Sequence, residues 1–560
     1  MTDYIIFLIS FYILFFSVIG YGLFFQSFCF EKIKNFNDEK SIFVGFYGLF
    51  FVTLISLLTS LFLPHNFTHN LILHITGLIY FISYKAQNKK TYLKFIVLIS
   101  FIVFSAVLIS KTNDDLSYYH LPFTKYLTEQ KIIFGMGHLS HGYNLLSSLF
   151  FLNSTFYLPF INFFSFHFSL VFFLIFFNFF VIKEILSIKN DEIIKYLYLF
   201  AFVYFNLSFN RIAEYGTDKA GQLLIVILII KLLHYLNLTK NRFNSDIILL
   251  IPLFGFCISL KTYFLSYLIL GLIILFLNSK ITIALHKIFL SKSFLFFSAI
   301  IVFYFTHHFI STGCVISPLH FTCFGDSLIW ARDKKDIINL SIWLEQWAKA
   351  GAGPNFRVEN VKEYIDSFNW VSNWVEKYFV GKFLDQLGIL FSTFFVIFLI
   401  FKNFKFKLNK AFYKNFIVIY SIIFVIFFIW LTNHPTLRYG GYSVVFLIIS
   451  FPFSLLFCSF QNKDIAQKKI IILIIFVAVL FNIKNITRIQ KELNRTDIFK
   501  FQNFPYFFIK DKNYEIHKFD SGLTIYHTHH CWATPTPCGG VDNKTFVKKK
   551  NGYYFIGKYK

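Results

Sequence analysis

A chain of 560 residues that is 56% hydrophobic and only 15% charged carries too much apolar surface for a soluble globular fold, and it reads as a multi-pass membrane protein. The net charge of +24 does not point to nucleic acid, because in a membrane protein the placement of lysines matters more than their number. The 84 Phe, beside abundant Lys, Asn and Ile, read mostly as lipid-facing substitutes for Leu.

Fourteen apolar runs can be drawn in chain order. They are Tyr4–Phe25, Ser41–Phe62, Leu71–Tyr84, Phe95–Ile109, Phe156–Ile182, Tyr196–Leu207, Leu223–Leu236, Ile247–Leu260, Tyr263–Leu277, Phe294–Phe305, Leu384–Phe401, Phe416–Trp430, Tyr442–Cys458 and Ile470–Ile483. Several are shorter than the roughly 20 residues that span a bilayer, and must borrow flanking Tyr, Asn and Lys. Alternate connections hold most of the lysines, among them Lys32, Lys34 and Lys40, then Lys85, Lys89, Lys90 and Lys94, and later Lys402 to Lys414. The positive-inside rule puts those connections in the cytoplasm. Both termini and the loops 111–155, 209–222 and 311–383 then lie outside. The expected fold is an all-α polytopic protein of about 14 transmembrane helices over residues 1–484, with helices lying on the outer membrane surface. A small α/β or irregular tail, 485–560, follows outside the membrane. The start Met1-Thr2-Asp3 lacks a basic segment or cleavage site, so the first run reads as a retained helix. Cys314 with Cys323 and Cys531 with Cys538 fall in external segments as two close-spaced sets, which suits an oxidising compartment. Cys531 and Cys538 read as a disulfide, although four cysteines allow other pairings.

The fourth run ends in Asn113-Asp114-Asp115-Leu116-Ser117-Tyr118-Tyr119-His120. Carboxylates and a histidine at a membrane exit sit where an apolar wall shifts proton affinity and a wet pocket can admit a polar substrate. The plainer reading is that Asp114 and Asp115 stop the helix and hydrate its end. Beyond them, Leu116, Tyr119, Leu121, Phe123, Tyr126 and Leu127 recur at helical spacing and suggest a surface helix. The next external link packs Arg211, Glu214, Asp218 and Lys219 between two apolar runs, which is expensive unless they face a polar cavity; a solvated turn is the alternative. Lys261 opposes the positive-inside trend and could neutralise a lipid phosphate or merely snorkel. Arg438 is the sole Lys or Arg between Asn433 and Gly440, and a guanidinium grips phosphate through two parallel hydrogen bonds.

This first loop, an acidic motif followed by two membrane-surface helices, resembles the GT-C class of membrane glycosyltransferases. Within that class the chain is similar to a bacterial group associated with surface polysaccharide, whose loop reads approximately Asp-x-x-x-Tyr-His followed by a Gly-rich run. Asp115, Tyr119 and His120 match the first part, and Gly135, Gly137, Leu139, Gly142, Asn144 and Ser147 the second. His138 and Ser140-His141 depart from it. Weaker similarity reaches Cys531-Trp532 and Pro537-Cys538, and the group tends to carry an Arg-aromatic-Gly run where Arg438-Tyr439-Gly440 stands. The resemblance implies sugar transfer from a polyprenyl-phosphate-linked donor to a glycan or lipid acceptor at the outer face of the inner membrane. Asp115 would be the base, tuned by Asp114, His120 and Asp218. Tyr119, Asn144, Arg211, Glu214, Lys219, Lys261 and Arg438 would contact substrate. Some GT-C enzymes use a divalent ion, here Mg or Mn between Asp115 and Asp218, but two carboxylates without a third firm ligand do not establish one.

The segment 311–383 holds Trp330, Trp343, Trp347, Trp370 and Trp374. These are membrane-interface anchors or sugar-stacking surfaces. Its amphipathic stretches Asp336–Lys349 and Val358–Tyr378 would cap the site. The tail cluster His527-Thr528-His529-His530-Cys531 has metal-ligand residue types without the paired spacing of structural zinc sites, and no Walker motif or Ser/His/Asp arrangement is visible. The rival readings are an O-antigen polymerase or ligase, and a transporter or flippase of lipid-linked saccharide. Against the transporter stands the lack of an internal repeat.

Overall fold

The structure, a computed structural model, describes residues 2–111, 113–187, 193–208, 212–238, 245–271, 281–353, 356–401, 413–459, 467–494 and 513–559. Arg211 and several link residues, among them Lys189, Lys240, Arg242, Lys280, Lys402 to Lys410 and Lys463, lie outside these ranges. The fold is mostly helical. Among the described residues nine helices are long and apolar enough to cross a membrane: Asp3–Cys29, Glu39–Thr59, Phe163–Ser187, Ala220–Leu238, Lys292–Thr312, Val371–Phe401, Asn415–Asn433, Leu437–Cys458 and Gln467–Asn494. The remaining apolar runs take shorter forms. Phe67–Ser83, Ile193–Ser208 and Asp246–Leu260 are short apolar helices, and Tyr263 falls in a 3₁₀ stretch, Thr262–Leu270. The run Phe95–Ile109 stops early as a helix. Its helix ends at Val103, Ile109 turns left-handed at φ 55°, and Arg488 donates to the carbonyls of Leu108, at 2.9 Å, and Ile109. The cation thus satisfies carbonyls of the irregular stretch that follows the helix.

Phe163–Ser187 and Ala220–Leu238 form the centre of the bundle, with 100% and 83% of their most apolar windows buried. Lys292–Thr312, Val371–Phe401, Asn415–Asn433 and Gln467–Asn494 are no more than 33% buried and face outward. Helices approach closely where glycine removes the side chain, as at Gly20 against the Gly77 backbone and Gly48 against Val18. The phenylalanines correct an expectation: more of those described are buried than exposed. Phe11 lies edge-on to Phe104, Phe168 and Phe172 at 5.2–5.4 Å, a geometry that ring quadrupoles favour and that Leu cannot reproduce.

The tail is two small sheets, without a helix among its described residues 513–559. β1 (Glu515–Lys518) pairs antiparallel with β2 (Thr524–His527), and β2 pairs parallel with β3 (Cys538–Gly539). β4 (Thr545–Lys550) and β5 (Tyr553–Lys558) form a hairpin in register Lys550 to Tyr553. Its two-residue turn is Asn551-Gly552, both at positive φ, as the right-handed strand twist demands. Disulfides join Cys314 to Cys323 and Cys531 to Cys538; Cys29, Cys257 and Cys458 take no part in a disulfide. The tail packs on the first loop rather than projecting from the bundle. The Phe134 amide donates to Tyr554 and the Ile556 amide to Phe134, both at 2.9 Å. Gly135, at φ 80°, has no room for a Cβ against the Ile556 carbonyl.

Candidate functional site

Segments distant in sequence meet at the end of the bundle where the tail sits. Asp115 precedes a π-helical turn, Leu116–His120, that continues into the helix Leu121–Glu129. Asp218 lies just before the central helix Ala220–Leu238. Lys261 ends the helix Ile251–Leu260. Arg438 belongs to a second π-helical turn, Leu437–Gly441, which kinks where Gly440 takes φ 85°. Any side chain at Gly440 would collide with the Tyr263 ring. The backbone leaves helical geometry at both Tyr439 and Gly440, so Arg438 sits on a broken turn just ahead of the helix Tyr442–Ser459.

Arg438 spans the two carboxylates. One terminal nitrogen donates to Asp115 Oδ2 at 2.7 Å and its Nε donates to Asp218 Oδ2 at 2.8 Å. Lys261 donates to the other oxygen of Asp218. Trp347 lies 5.6 Å over the guanidinium and Tyr439 4.7 Å from the Lys261 ammonium, cation–π placements that hold both charges in a partly open cleft. Burial alone would raise the Asp115 carboxyl; the Arg438 charge overrides it and holds the group below the usual range. Asp218, beside both Arg438 and Lys261, is held further down against the same effect of burial. Burial pulls His120 down to about 4, so it is neutral at pH 7. Neither ring nitrogen of His120 has a hydrogen-bond partner among the described residues.

The other expected site residues divide clearly. Asp114 is exposed and its carboxylate takes no part in the cluster. Tyr119 is half-buried against His120, ring centres 4.3 Å apart. Glu214 faces Lys111 at 3.8 Å and Asn113 at 3.4 Å, one turn from the cluster, and Lys219 is buried at the start of the central helix. Asn144 donates to the carbonyls of Gly137, Ser140 and His141 at 3.0–3.2 Å, so it staples the loop. Ser147 donates to the Leu260 carbonyl at 2.6 Å, fixing the backbone beside Lys261. The Gly-rich run is scaffolding for the cluster.

Three further contributors complete the site: Gln222 and the tail, which sequence reasoning did not assign to it, and Trp347, which it named as an anchor or sugar-stacking surface in a stretch expected to cap the site. Gln222, fully buried, donates to the Asp218 carbonyl at 2.9 Å and accepts from the Ser443 amide at 3.0 Å, tying the Asp218 and Arg438 segments together. Its short distance from Asp218 along the chain was the available signal. Trp347, on the helix Lys334–Lys349, is brought over Arg438 by packing at long range. The third is the tail: Ser117 Oγ lies 2.9 Å from His530 Nδ1, and the Trp532 amide donates to the Ser117 carbonyl at 3.0 Å.

Arg438 occupies the space between Asp115 and Asp218 where a divalent ion would have to lie, so the pair does not fit a metal. Elsewhere among the described residues Glu39, Glu184 and His234 gather at metal-ligand distances. Lys231 is bonded into that group, to Glu39 and to both Glu184 oxygens at 3.0 Å, and supplies the countercharge itself.

Fold and cleft together define a multi-pass helical membrane protein with a self-neutralised cluster of acidic and basic side chains at one end of its bundle. The chain belongs to the family defined by a domain of unknown function, DUF8201, which matches residues 4–445. That stretch contains Asp115, Asp218, Lys261 and Arg438 and ends before the tail. No curated protein and no solved structure matches the chain.

Proposed function

We propose that the protein is a GT-C-like glycosyltransferase that moves a sugar from a polyprenyl-phosphate-linked donor to a glycan or lipid acceptor at the outer face of the bacterial inner membrane, the shorter apolar helices completing about fourteen crossings. The observation that carries this reading is the Arg438 bridge: a guanidinium and an ammonium beside two carboxylates, in a cleft at the end of the bundle. In this reading the donor phosphate displaces Asp115 from Arg438 and binds Arg438 and Lys261. The freed Asp115 carboxylate takes the proton of the acceptor hydroxyl as its oxygen attacks the anomeric carbon. The bond from that carbon to the phosphate oxygen breaks, and the electron pair leaves on polyprenyl phosphate, stabilised by the two cations. Asp218 stays bound to Lys261 and holds it in place. Inversion at the anomeric carbon follows from the single displacement.

The test is incubation of purified protein with a panel of polyprenyl-phosphate sugars and a cell-envelope glycan extract. Release of free polyprenyl phosphate that depends on Asp115 supports the reading, and no release from any donor rejects it. One observation favours a second reading, transport of a lipid-linked saccharide. Lys231 is fully buried between Glu39 and Glu184, and buried ionisable groups within a bundle commonly line transport paths. Translocation of a fluorescent lipid-linked sugar in proteoliposomes, without chemical change, would decide for it.

A further inference from the structure

Between the first loop and the tail lies a cavity of about 270 Å³ lined by Tyr118, Ser140, His527, His529, Gly539 and Gly540, among others. Its residues bring hydroxyls, imidazoles, backbone amides and one phenol ring. Among the described residues no carboxylate, ammonium or guanidinium lines it. Ligand pockets usually fall at about 300–1,000 Å³, so this one has room for a single small ring and its substituents. Aromatic and imidazole rings connect it to the charged cleft. Tyr118 lies 5.3 Å from His529 and 4.8 Å from His141, ring centre to ring centre, and its hydroxyl is 2.8 Å from His141 Nδ1. His141 in turn lies 5.6 Å from Trp343. Trp343 and Trp347 are four residues apart on one helix and so share a face, and Trp347 covers Arg438. The chain itself closes the link, since Tyr118 follows Asp115 by three residues within one helical stretch.

We propose that this cavity binds one uncharged sugar residue, its ring on Tyr118 and its hydroxyls on the imidazoles and backbone of the tail. A polyol needs many donors and acceptors beside an aromatic plate, and the described lining offers hydroxyls, imidazoles and backbone groups around the Tyr118 ring. Assigning that sugar to the acceptor, so that its reactive hydroxyl points along the aromatic path toward Asp115, rests on the transferase reading above.

The test uses the full-length protein in detergent. Saturation-transfer NMR is recorded with the methyl glycosides of glucose, galactose, mannose and N-acetylglucosamine, and polyprenyl phosphate binding is measured in parallel. At least one glycoside should give a signal in the unaltered protein and in Arg438→Ala. Affinity should fall about tenfold, the scale of one lost aromatic contact, in His529→Ala, whose side chain is exposed and whose loss does not threaten folding. Tyr118→Phe, which keeps the ring and loses the hydroxyl, should bind more tightly than Tyr118→Ala. Absence of signal from all four glycosides, or signals unchanged in both His529→Ala and Tyr118→Ala, overturns the proposal. Glycoside binding without polyprenyl phosphate binding would reject the transferase reading and leave the sugar site standing. The reverse result would do the opposite.

Discussion

Arg438 cannot serve Asp115 and a phosphate fully at once, and this competition makes the residue-scale predictions unequal. Asp115→Asn removes proton acceptance and also releases one arm of the guanidinium. Turnover should fall by the roughly 10²–10⁴-fold typical of a lost general base, while polyprenyl phosphate binds at least as tightly as before. Asp114→Asn, at an exposed carboxylate outside the cluster, should leave both nearly unchanged; equal losses in the two variants would remove Asp115 from the chemistry. Arg438→Lys keeps the charge without the fork and should weaken phosphate binding less than Arg438→Ala.

The same residues fix a pH response. Asp115 and Asp218 are held below their usual range, so their pairing contributes fully above the ordinary carboxylate value near pH 4 and is lost only as pH falls through the depressed values. His120 and His138 are held neutral by burial, each down to about 4. The unfolded chain binds those protons from about pH 6.5 downward, so stability drops between about pH 6.5 and 4 on their account. The melting temperature should be flat from pH 8 to 6.5 and decline below, with a smaller decline in His138→Asn. A flat profile down to pH 4.5 would show that neither histidine is buried neutral.

At the scale of elements, the cleft depends on one buried side chain that touches no charge. Gln222→Leu keeps the volume but leaves the Ser443 amide without its acceptor and the Asp218 carbonyl without its donor, a cost of about 1–3 kcal/mol for a buried unsatisfied group. Melting should fall accordingly, and phosphate affinity with it as Arg438 loses its fixed position. Unchanged affinity would show that the Leu437–Gly441 turn is held by other means. This level was only partly legible in the sequence. The residue types at Asp115, Asp218, Lys261 and Arg438 stood out because charge beside apolar runs is costly. The Asn551-Gly552 turn is set by two adjacent residues and could have been read from them, although sequence reasoning did not single it out. Asn144 and Ser147 looked like substrate groups or motif positions and are staples, because a pattern of residue types does not reveal which carbonyls will lie nearby. The docking of the tail on Gly135 and Ser117 depends on contacts hundreds of residues apart, which no periodicity encodes.

For the whole molecule, hydropathy located the long helices, while the shorter runs fold as helices too short to meet the same length on their own. The end of the Phe95–Ile109 run leaves the helix and its carbonyls are met by Arg488, hundreds of residues away in the sequence. Phenylalanine count likewise could not separate ring packing in the interior from lipid contact. The orientation is open to direct measurement. Lys34 and Asn551 are exposed at opposite ends of the helix Val44–Thr59, the tail end being marked by the Tyr553 hydroxyl on the Leu61 carbonyl at 3.0 Å. In a protein lacking Cys29, Cys257 and Cys458, with both disulfides kept, an impermeant thiol reagent added outside intact spheroplasts should label Asn551→Cys and spare Lys34→Cys. Labelling of both, or of Lys34→Cys alone, contradicts the proposed topology.

The contact between Ser117 and His530 joins residues 413 apart in sequence, and this separates two moments in the life of the chain. A ribosome makes the first loop long before the strands that roof it. Through nearly the whole of synthesis Tyr118 and its neighbours stand uncovered, and the rim that His527, His529 and Gly539 supply does not yet exist. A nascent or prematurely terminated chain can insert its helices and still lack that rim. The rim of the cavity therefore forms only after β2 and β3 have been made, and a reporter of its completion should respond only once residues 527–540 have emerged.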